Sequence, residues 1–199
     1  MMQHGAWAGP VLYTRQVTTP DCARVELRPA GPADATVLGD YFLSLSKRTR
    51  ELFAPHDFTR DEAQALCSER KASGRVPLLA VGSGDTRVVA YFLLCLNLQD
   101  GAMERYARYG IALSHEQDCL IAPSVADQWQ GRGLGGLFMR YAVDLAQSLG
   151  RRYMVLFGGT SRRNHRAIRL YEKSGFRIRG YFGTNDSEQD MLLELQPAD

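Results

Sequence analysis

Little in this sequence points to a specialised environment. Its four cysteines, Cys22, Cys67, Cys95 and Cys119, are scattered without close pairs, which excludes a zinc knuckle or a disulfide framework as an organising element. The four histidines, His4, His56, His115 and His165, likewise lack ligand spacing, so no metal is expected. No apolar run is long enough to span a bilayer, and residues 1–8 carry no basic patch followed by a hydrophobic stretch. The expectation is a cytoplasmic protein with no membrane partner. With 45% hydrophobic and 23% charged residues in 199, the chain has the material for one well-filled core, and disorder is excluded as its default state.

The net charge is only +2, yet it is unevenly placed. Between positions 151 and 179 lie Arg151, Arg152, Arg162, Arg163, Arg166, Arg169, Lys173, Arg177 and Arg179, opposed by Glu172 alone. Such a segment faces either an anion or plain solvent. Nucleic acid is a poor candidate for that anion, because no recognition-helix or single-strand-binding pattern accompanies the charge.

Residues 1–24, without periodicity, read as a tail or an added edge segment, and 25–199 as the folded domain. Val25 to Arg28 reads as a strand stopped by Pro29. Pro32 opens a helix with Val37, Leu38, Tyr41, Phe42 and Leu45 on one face. Thr59 and Glu62 form a capping-box pattern for a second helix reaching about Arg70. Strands over Leu78–Val81 and Val88–Leu96 flank a Gly-Ser-Gly-Asp hairpin turn, and Asp100 to Tyr109 reads as a polar connection. Asp118 to Val125 is the next strand. Pro123 inside it argues for an edge or bulged position, since proline cannot donate to the ladder. An amphipathic helix follows through Leu134, Leu137, Phe138, Tyr141, Ala142, Leu145 and Leu149. A strand at Tyr153–Phe157, a helix from Asn164 to Lys173, and strands at Phe176–Phe182 and Met191–Leu195 complete the chain.

The segment Gln130-Gly131-Arg132-Gly133-Leu134-Gly135-Gly136 joins a strand to the start of the amphipathic helix. Its glycines let backbone approach a ligand closely, and the free N–H groups and dipole of a helix start attract phosphate oxygens. Gly131, Gly133 and Gly136 also satisfy G-x-G-x-x-G. A Rossmann site is excluded, however: residues 126–130 separate the strand from the first glycine, and no acid lies between Asp144 and Glu172 to hold a ribose. A Walker loop is excluded because no Gly-Lys-Ser/Thr follows.

The stretch Val125-Ala126-Asp127-Gln128-Trp129-Gln130-Gly131-Arg132-Gly133-Leu134-Gly135 resembles the acetyl-CoA signature Q/R-x-x-G-x-G/A of GNAT N-acetyltransferases. Asn164, Ala167 and Leu170-Tyr171-Glu172-Lys173-Ser174-Gly175-Phe176 resemble the family's asparagine and its LYEKxGF helix end. This resemblance implies an α/β fold with a mixed, mostly antiparallel sheet of six to seven strands and about four helices. In it the strand ending at Val125 carries a bulge and splays from the strand at Tyr153–Phe157, so that Pro123 is no anomaly. Asp127 stands where many members have proline.

The implied activity is acetyl transfer from acetyl-CoA, as acyl-donor cosubstrate, to a primary amine in a ternary complex, with no metal. Gln130, Gly131, Arg132, Gly133, Leu134 and Gly135 would hold the pyrophosphate, Ser124 and Val125 the pantetheine through their backbone, and Asn164 its amide. One N–H near Val125 would steady the oxyanion. Tyr171 would protonate the departing thiolate, or simply pack. The family's glutamate base falls on Cys119, a poor base when buried, so no base is assigned. The acceptor would be a small-molecule or peptide amine, its pocket shaped by Tyr41, Phe42, Phe53, His56, Phe58 and Tyr106 to Tyr109. A homodimer is left open, and a catalytically silent acyl-CoA-binding module is the alternative function.

Overall fold

The computed structural model describes residues 13–53, 55–68, 74–84, 86–98 and 100–196. His4, the outer part of the expected N-terminal segment, Arg70 and Asp85 of the expected hairpin turn lie outside them.

In chain order the elements are β1 (Arg15–Thr18), β2 (Arg24–Pro29), α1 (Ala35–Ser44), α2 (Lys47–Glu51), α3 (Arg60–Ser68), β3 (Arg75–Gly82), β4 (Val88–Cys95) and α4 (Asp100–Arg108). They continue with β5 (Asp118–Val125), α5 (Leu134–Ser148), β6 (Tyr153–Leu156), β7 (Thr160–Ser161), α6 (His165–Lys173), β8 (Arg177–Phe182) and β9 (Glu188–Glu194). Among the described residues one nine-stranded sheet runs in the order β1-β2-β3-β4-β5-β6-β9-β7, with β8 also pairing β9. All neighbours are antiparallel except β5 and β6. The mixed, mostly antiparallel α/β architecture is therefore the one expected, with nine strands in place of six or seven and six helices in place of four.

Part of the surplus is α4, which replaces the expected polar connection. Ala102 and Tyr106, four residues apart, are buried on one side of it, and the Tyr106 hydroxyl donates to the Met191 carbonyl at 2.8 Å. Side chains at that spacing stack on one helix face, so two buried residues suffice to dock an otherwise charged helix.

Alternation along the central strands divides the core into two clusters. Ala90, Phe92 and Leu94 of β4 and Cys119 and Ile121 of β5 face α5 and α6. Tyr91, Leu93 and Cys95, with Leu120 and Ala122, face α1, α3 and α4. Phe92 and Phe138 stack with centroids 4.0 Å apart, locking α5 to the sheet. Such a ring pair adds about 0.5–1.5 kcal/mol beyond the area it buries.

Pro123 occupies neither an edge nor a bulge. β5 lies at the centre of the sheet, and its pairing with β4 runs in unbroken register from Leu120↔Cys95 to Val125↔Ala90. The Ala126 N–H donates to the Val89 carbonyl at 3.0 Å, so the even-numbered residues of β5 direct their backbone groups to β4 and the odd-numbered ones to β6. β6 pairs β5 only as far as Ile121↔Leu156, with one further bond from the Phe157 N–H to the Ile121 carbonyl. Pro123 thus turns its donorless nitrogen to the side from which β6 has already departed. A proline at that point costs no ladder bond, and the strands splay past it.

Candidate active site

The splay leaves two residues of β5 with backbone directed into the opening, Pro123 and Val125. The Val125 carbonyl accepts from Gln130 Nε2 at 3.1 Å, and its N–H donates to no described residue. Ser124 has the opposite parity: its backbone pairs with Tyr91 of β4, and its Oγ lies 2.9 Å from the buried Tyr41 hydroxyl. Of the two residues expected to hold pantetheine by backbone, only Val125 therefore presents main-chain groups to the cleft.

Beyond Val125 a 3-10 turn, Asp127–Trp129, leads into the glycine loop. Gly131 and Gly133 adopt φ +81° and +82°, a left-handed conformation that side chains resist. This run brings the amides of Gly131, Arg132, Gly133, Leu134 and Gly135 to the N-terminus of α5, where none donates to a described residue; the Gly136 and Leu137 amides are the first to close, both on the Gly133 carbonyl. A Cβ on Gly131 or Gly136 would meet nothing within 4 Å, so that side of the loop is open, whereas one on Gly133 would lie 2.8 Å from Pro20 and one on Gly135 would lie 3.3 Å from Leu170. Amides without a partner among the described residues, beside a positive helix end, are the geometry that anions favour.

Gln130 anchors the loop. Its Nε2 also donates to Thr49 Oγ1 at 3.3 Å, and its Oε1 accepts from Arg166 at 2.6 Å. Arg132 pairs with Asp21 and stacks over the Trp129 ring at 4.2 Å. A phosphate must compete with that carboxylate for its guanidinium. Asn164 caps α6 by accepting from the Ala167 N–H at 3.2 Å. The basic segment does not present one face: Arg152 pairs with the fully buried Asp118, Arg162 lies over Tyr181, and Arg166 reaches the loop. Asp21 and Thr49 have no local signal in the sequence, since each meets the loop through tertiary contact, and Arg166 stands out there only as one of a run of basic residues.

Tyr171 projects from α6 into the cluster against which Val125 packs; it is 7% exposed, and its hydroxyl bonds to no described residue. Burial alone pushes its phenol above the ordinary value of 10, so it stays a proton donor at neutral pH. Cys119 lies on the α5 side of β5 with its thiol pushed up chiefly by burial, which removes it as a base.

On the other face of β4 and β5 is a cavity of about 470 Å³ lined by Pro55, His56, Glu62, Arg75, Leu93 and Phe157, among others. Phe157 follows Leu156, the last residue of β6 paired with β5, so the cavity borders the opening. Glu62 and Arg75 form an ion pair within it. Of the aromatics expected around an acceptor, Tyr41, Phe42, Phe58 and Tyr106 are buried in the core, while His56 reaches the cavity. The Asp57 carbonyl accepts from His56 Nδ1 at 2.9 Å, which leaves Nε2 to accept from the Tyr91 hydroxyl at 3.0 Å.

Burial lowers the His56 pKa below its ordinary 6.5, so the folded state takes up its proton at lower pH than the unfolded chain. Stability contributed by the neutral ring is complete above about pH 6.5 and is lost as the pH falls towards the folded value. In thermal melts from pH 8 to pH 5, His56→Gln is expected to show a shallower acid-side decline than wild type.

Residues 45–176 match the Acetyltransferase (GNAT) family. Among curated proteins none matches the sequence. The fold is shared with the GNAT domain of S. lividans PAT, at 18% identity and TM-score 0.75 over 94% of this chain and 99% of that one. It is also shared with aminoglycoside acetyltransferase AAC(6')-Ib in complex with coenzyme A and kanamycin, at 23% identity and TM-score 0.64, covering 85% and 94% of the two chains. Ribosomal-protein-S5-alanine acetyltransferase from Vibrio fischeri is similar at 12% identity and TM-score 0.65, covering 91% and 94%. With the family model spanning well over half of its length, the chain belongs to the Acetyltransferase (GNAT) family and is an acyltransferase.

Proposed function

We propose that the protein moves the acetyl group of acetyl-CoA to a primary amine by direct attack in a ternary complex. The observation that carries this reading is the run of amides from Gly131 to Gly135 that have no partner among the described residues, leading away from a splayed strand whose Val125 N–H has none among them either. The pyrophosphate would lie on the first set, with Gln130 holding the loop and Arg132 exchanging Asp21 for phosphate. The Val125 N–H would face the thioester oxygen. Asn164, its side-chain oxygen occupied by the α6 cap, retains its NH₂ group for the pantetheine amide.

The amine would enter from the cavity beside Phe157. Its nitrogen lone pair attacks the thioester carbon, the C–N bond forms, and charge gathers on the carbonyl oxygen, where a fixed donor lowers the barrier. The C–S bond then breaks and Tyr171 delivers its proton to the thiolate sulfur. The amine attacks in its neutral form, and the proton that nitrogen must still shed once the C–N bond forms leaves through water. Relatives sharing the fold are named as acetylating an aminoglycoside and a ribosomal-protein alanine, which supports an amine acceptor as a class. The unit performing this chemistry would be residues 25–199.

Calorimetry with acetyl-CoA, followed by thiol release from acetyl-CoA across tyramine, spermidine, kanamycin and an alanine-initiated peptide, tests the reading. Micromolar cofactor binding with release on any amine is the expected result. Binding without release on a wide amine panel would favour a silent acyl-CoA module, and no binding would end both readings.

A further inference from the structure

The cofactor loop and the cavity lie on different sides of β5, yet one carboxylate connects them. Asp127, in the 3-10 turn before the loop, accepts from the Ser46 N–H at 3.0 Å, the Ser46 hydroxyl at 2.8 Å and the Thr49 hydroxyl at 2.7 Å. Ser46 caps α2 and Thr49 lies inside it. Burial works to raise the Asp127 pKa, but these three donors outweigh it and hold the carboxyl below the ordinary carboxylate value, so it is ionised at neutral pH. Hydrogen bonds to an ionised acceptor are roughly twice as strong as neutral ones. A second strand of the same connection runs through Gln130, which bonds Thr49, Val125 and Arg166 together.

At its other end α2 leads to Phe53, which packs against His56 of the cavity wall. The Phe53 N–H donates to the Arg50 carbonyl at 3.2 Å, and the Phe53 ring meets His56 at 5.0 Å and Tyr91 at 5.9 Å. α2 has five residues, too few to hold its place by helical propensity alone. Its position relative to the sheet therefore depends on what grips its two ends, the aromatic group at one and Asp127 at the other.

We propose that Asp127 is a positioning residue that makes α2 and the cofactor loop one mechanical unit, so that acetyl-CoA bound at the loop tightens the acceptor wall that α2 meets through Phe53 and His56. This rests on the reading of the loop as the acetyl-CoA site. A loop whose amides gain phosphate partners loses freedom, and three bonds pass that order to α2. By linkage, an acceptor that steadies α2 tightens acetyl-CoA in return.

Asp127→Pro separates this role from the shape of the loop. Ala126 has φ −52° and ψ 140°, the extended conformation that a following proline requires, and position 127 opens the 3-10 turn, where proline is tolerated. The turn should persist while the three Asp127 bonds are lost and only the longer Gln130–Thr49 bond remains. The measurement is amide hydrogen exchange over residues 46–53 and 130–137, with and without acetyl-CoA, beside calorimetry for acetyl-CoA. In wild type, acetyl-CoA should slow both segments, the α2 segment by about fivefold or more, the lower end of ordinary coupling between sites. In Asp127→Pro the loop should remain protected, with affinity within about twofold, while the α2 segment exchanges at its ligand-free rate. Ser46→Ala combined with Thr49→Val removes both hydroxyl donors to Asp127, and with them the Thr49 acceptor of Gln130, while leaving the loop's own residues and the Gln130 bonds to Val125 and Arg166 in place; it should behave alike, which guards against a proline variant that fails to fold. Protection of the loop without protection of α2 in wild type overturns the coupling alone, as does α2 protection that survives in both variants. No acetyl-CoA binding by wild type overturns the transferase reading first, and the coupling with it.

Discussion

Tyr171→Phe should lower single-turnover acetyl transfer by roughly 10²- to 10⁴-fold, the range that a positioned proton donor contributes, while leaving acetyl-CoA affinity and the melting temperature close to wild type. The ring is 7% exposed and packs 5.8 Å from Phe176, so phenylalanine keeps its packing. The hydroxyl bonds to no described residue, and its removal leaves no protein group unsatisfied. In this it differs from Tyr106, whose hydroxyl donates to the Met191 carbonyl. Tyr171→Ala is the contrasting variant. It deletes a large buried aromatic and should cost about 3–5 kcal/mol of stability as well as activity. Rapid-quench measurement on Tyr171→Phe with a verified amine, beside its thermal melt, decides the matter. Full activity in a stable Phe variant would assign the proton to water or to the amine itself.

Whether a feature of this fold is legible in the sequence depends on whether its cause is local. Asp118–Val125 can be read to the residue and the helix through Leu134 to Leu149 nearly so, because a short apolar run and helical spacing are written in consecutive side chains. The strand Arg15–Thr18 cannot: it is short, carries charge and is mostly exposed, and it exists because β2 offers it a partner. α4 hides behind Gly101 and four charged residues, although Ala102 and Tyr106 have helical spacing. Pro123 suggests an edge or a bulge and occupies neither, since its tolerance depends on where β6 turns away, a property of a strand thirty residues on. The site divides in the same way. The glycine loop is visible in its pattern, whereas Asp127 stands out only as a departure from the family's proline, with no sign that Ser46 and Thr49 converge on it.

Gly136→Glu should raise the acetyl-CoA dissociation constant at least tenfold, about 1.4 kcal/mol, without lowering stability. It is a cleaner probe of the loop than its neighbours. A side chain on Gly131 or Gly133 would be forced into a left-handed backbone, and on Gly133 it would also strike Pro20. One on Gly135 would press on Leu170 and disturb the contact between α5 and α6. Gly136 has neither fault: its φ is not positive, and its Cβ would meet nothing within 4 Å. It is the third residue of α5, a position where a carboxylate ordinarily favours the helix by about 0.3–1 kcal/mol through the dipole. The same carboxylate would compete with the pyrophosphate for the amides of Gly131 to Gly135, adding like charge where the ligand is most anionic. Stability and affinity should therefore move in opposite directions, an outcome that general damage to the fold cannot produce. Calorimetric titration with acetyl-CoA beside a denaturant melt reads both quantities, and Gly136→Gln, of similar size without the charge, separates bulk from repulsion. Unchanged affinity in a folded Gly136→Glu would place the pyrophosphate elsewhere.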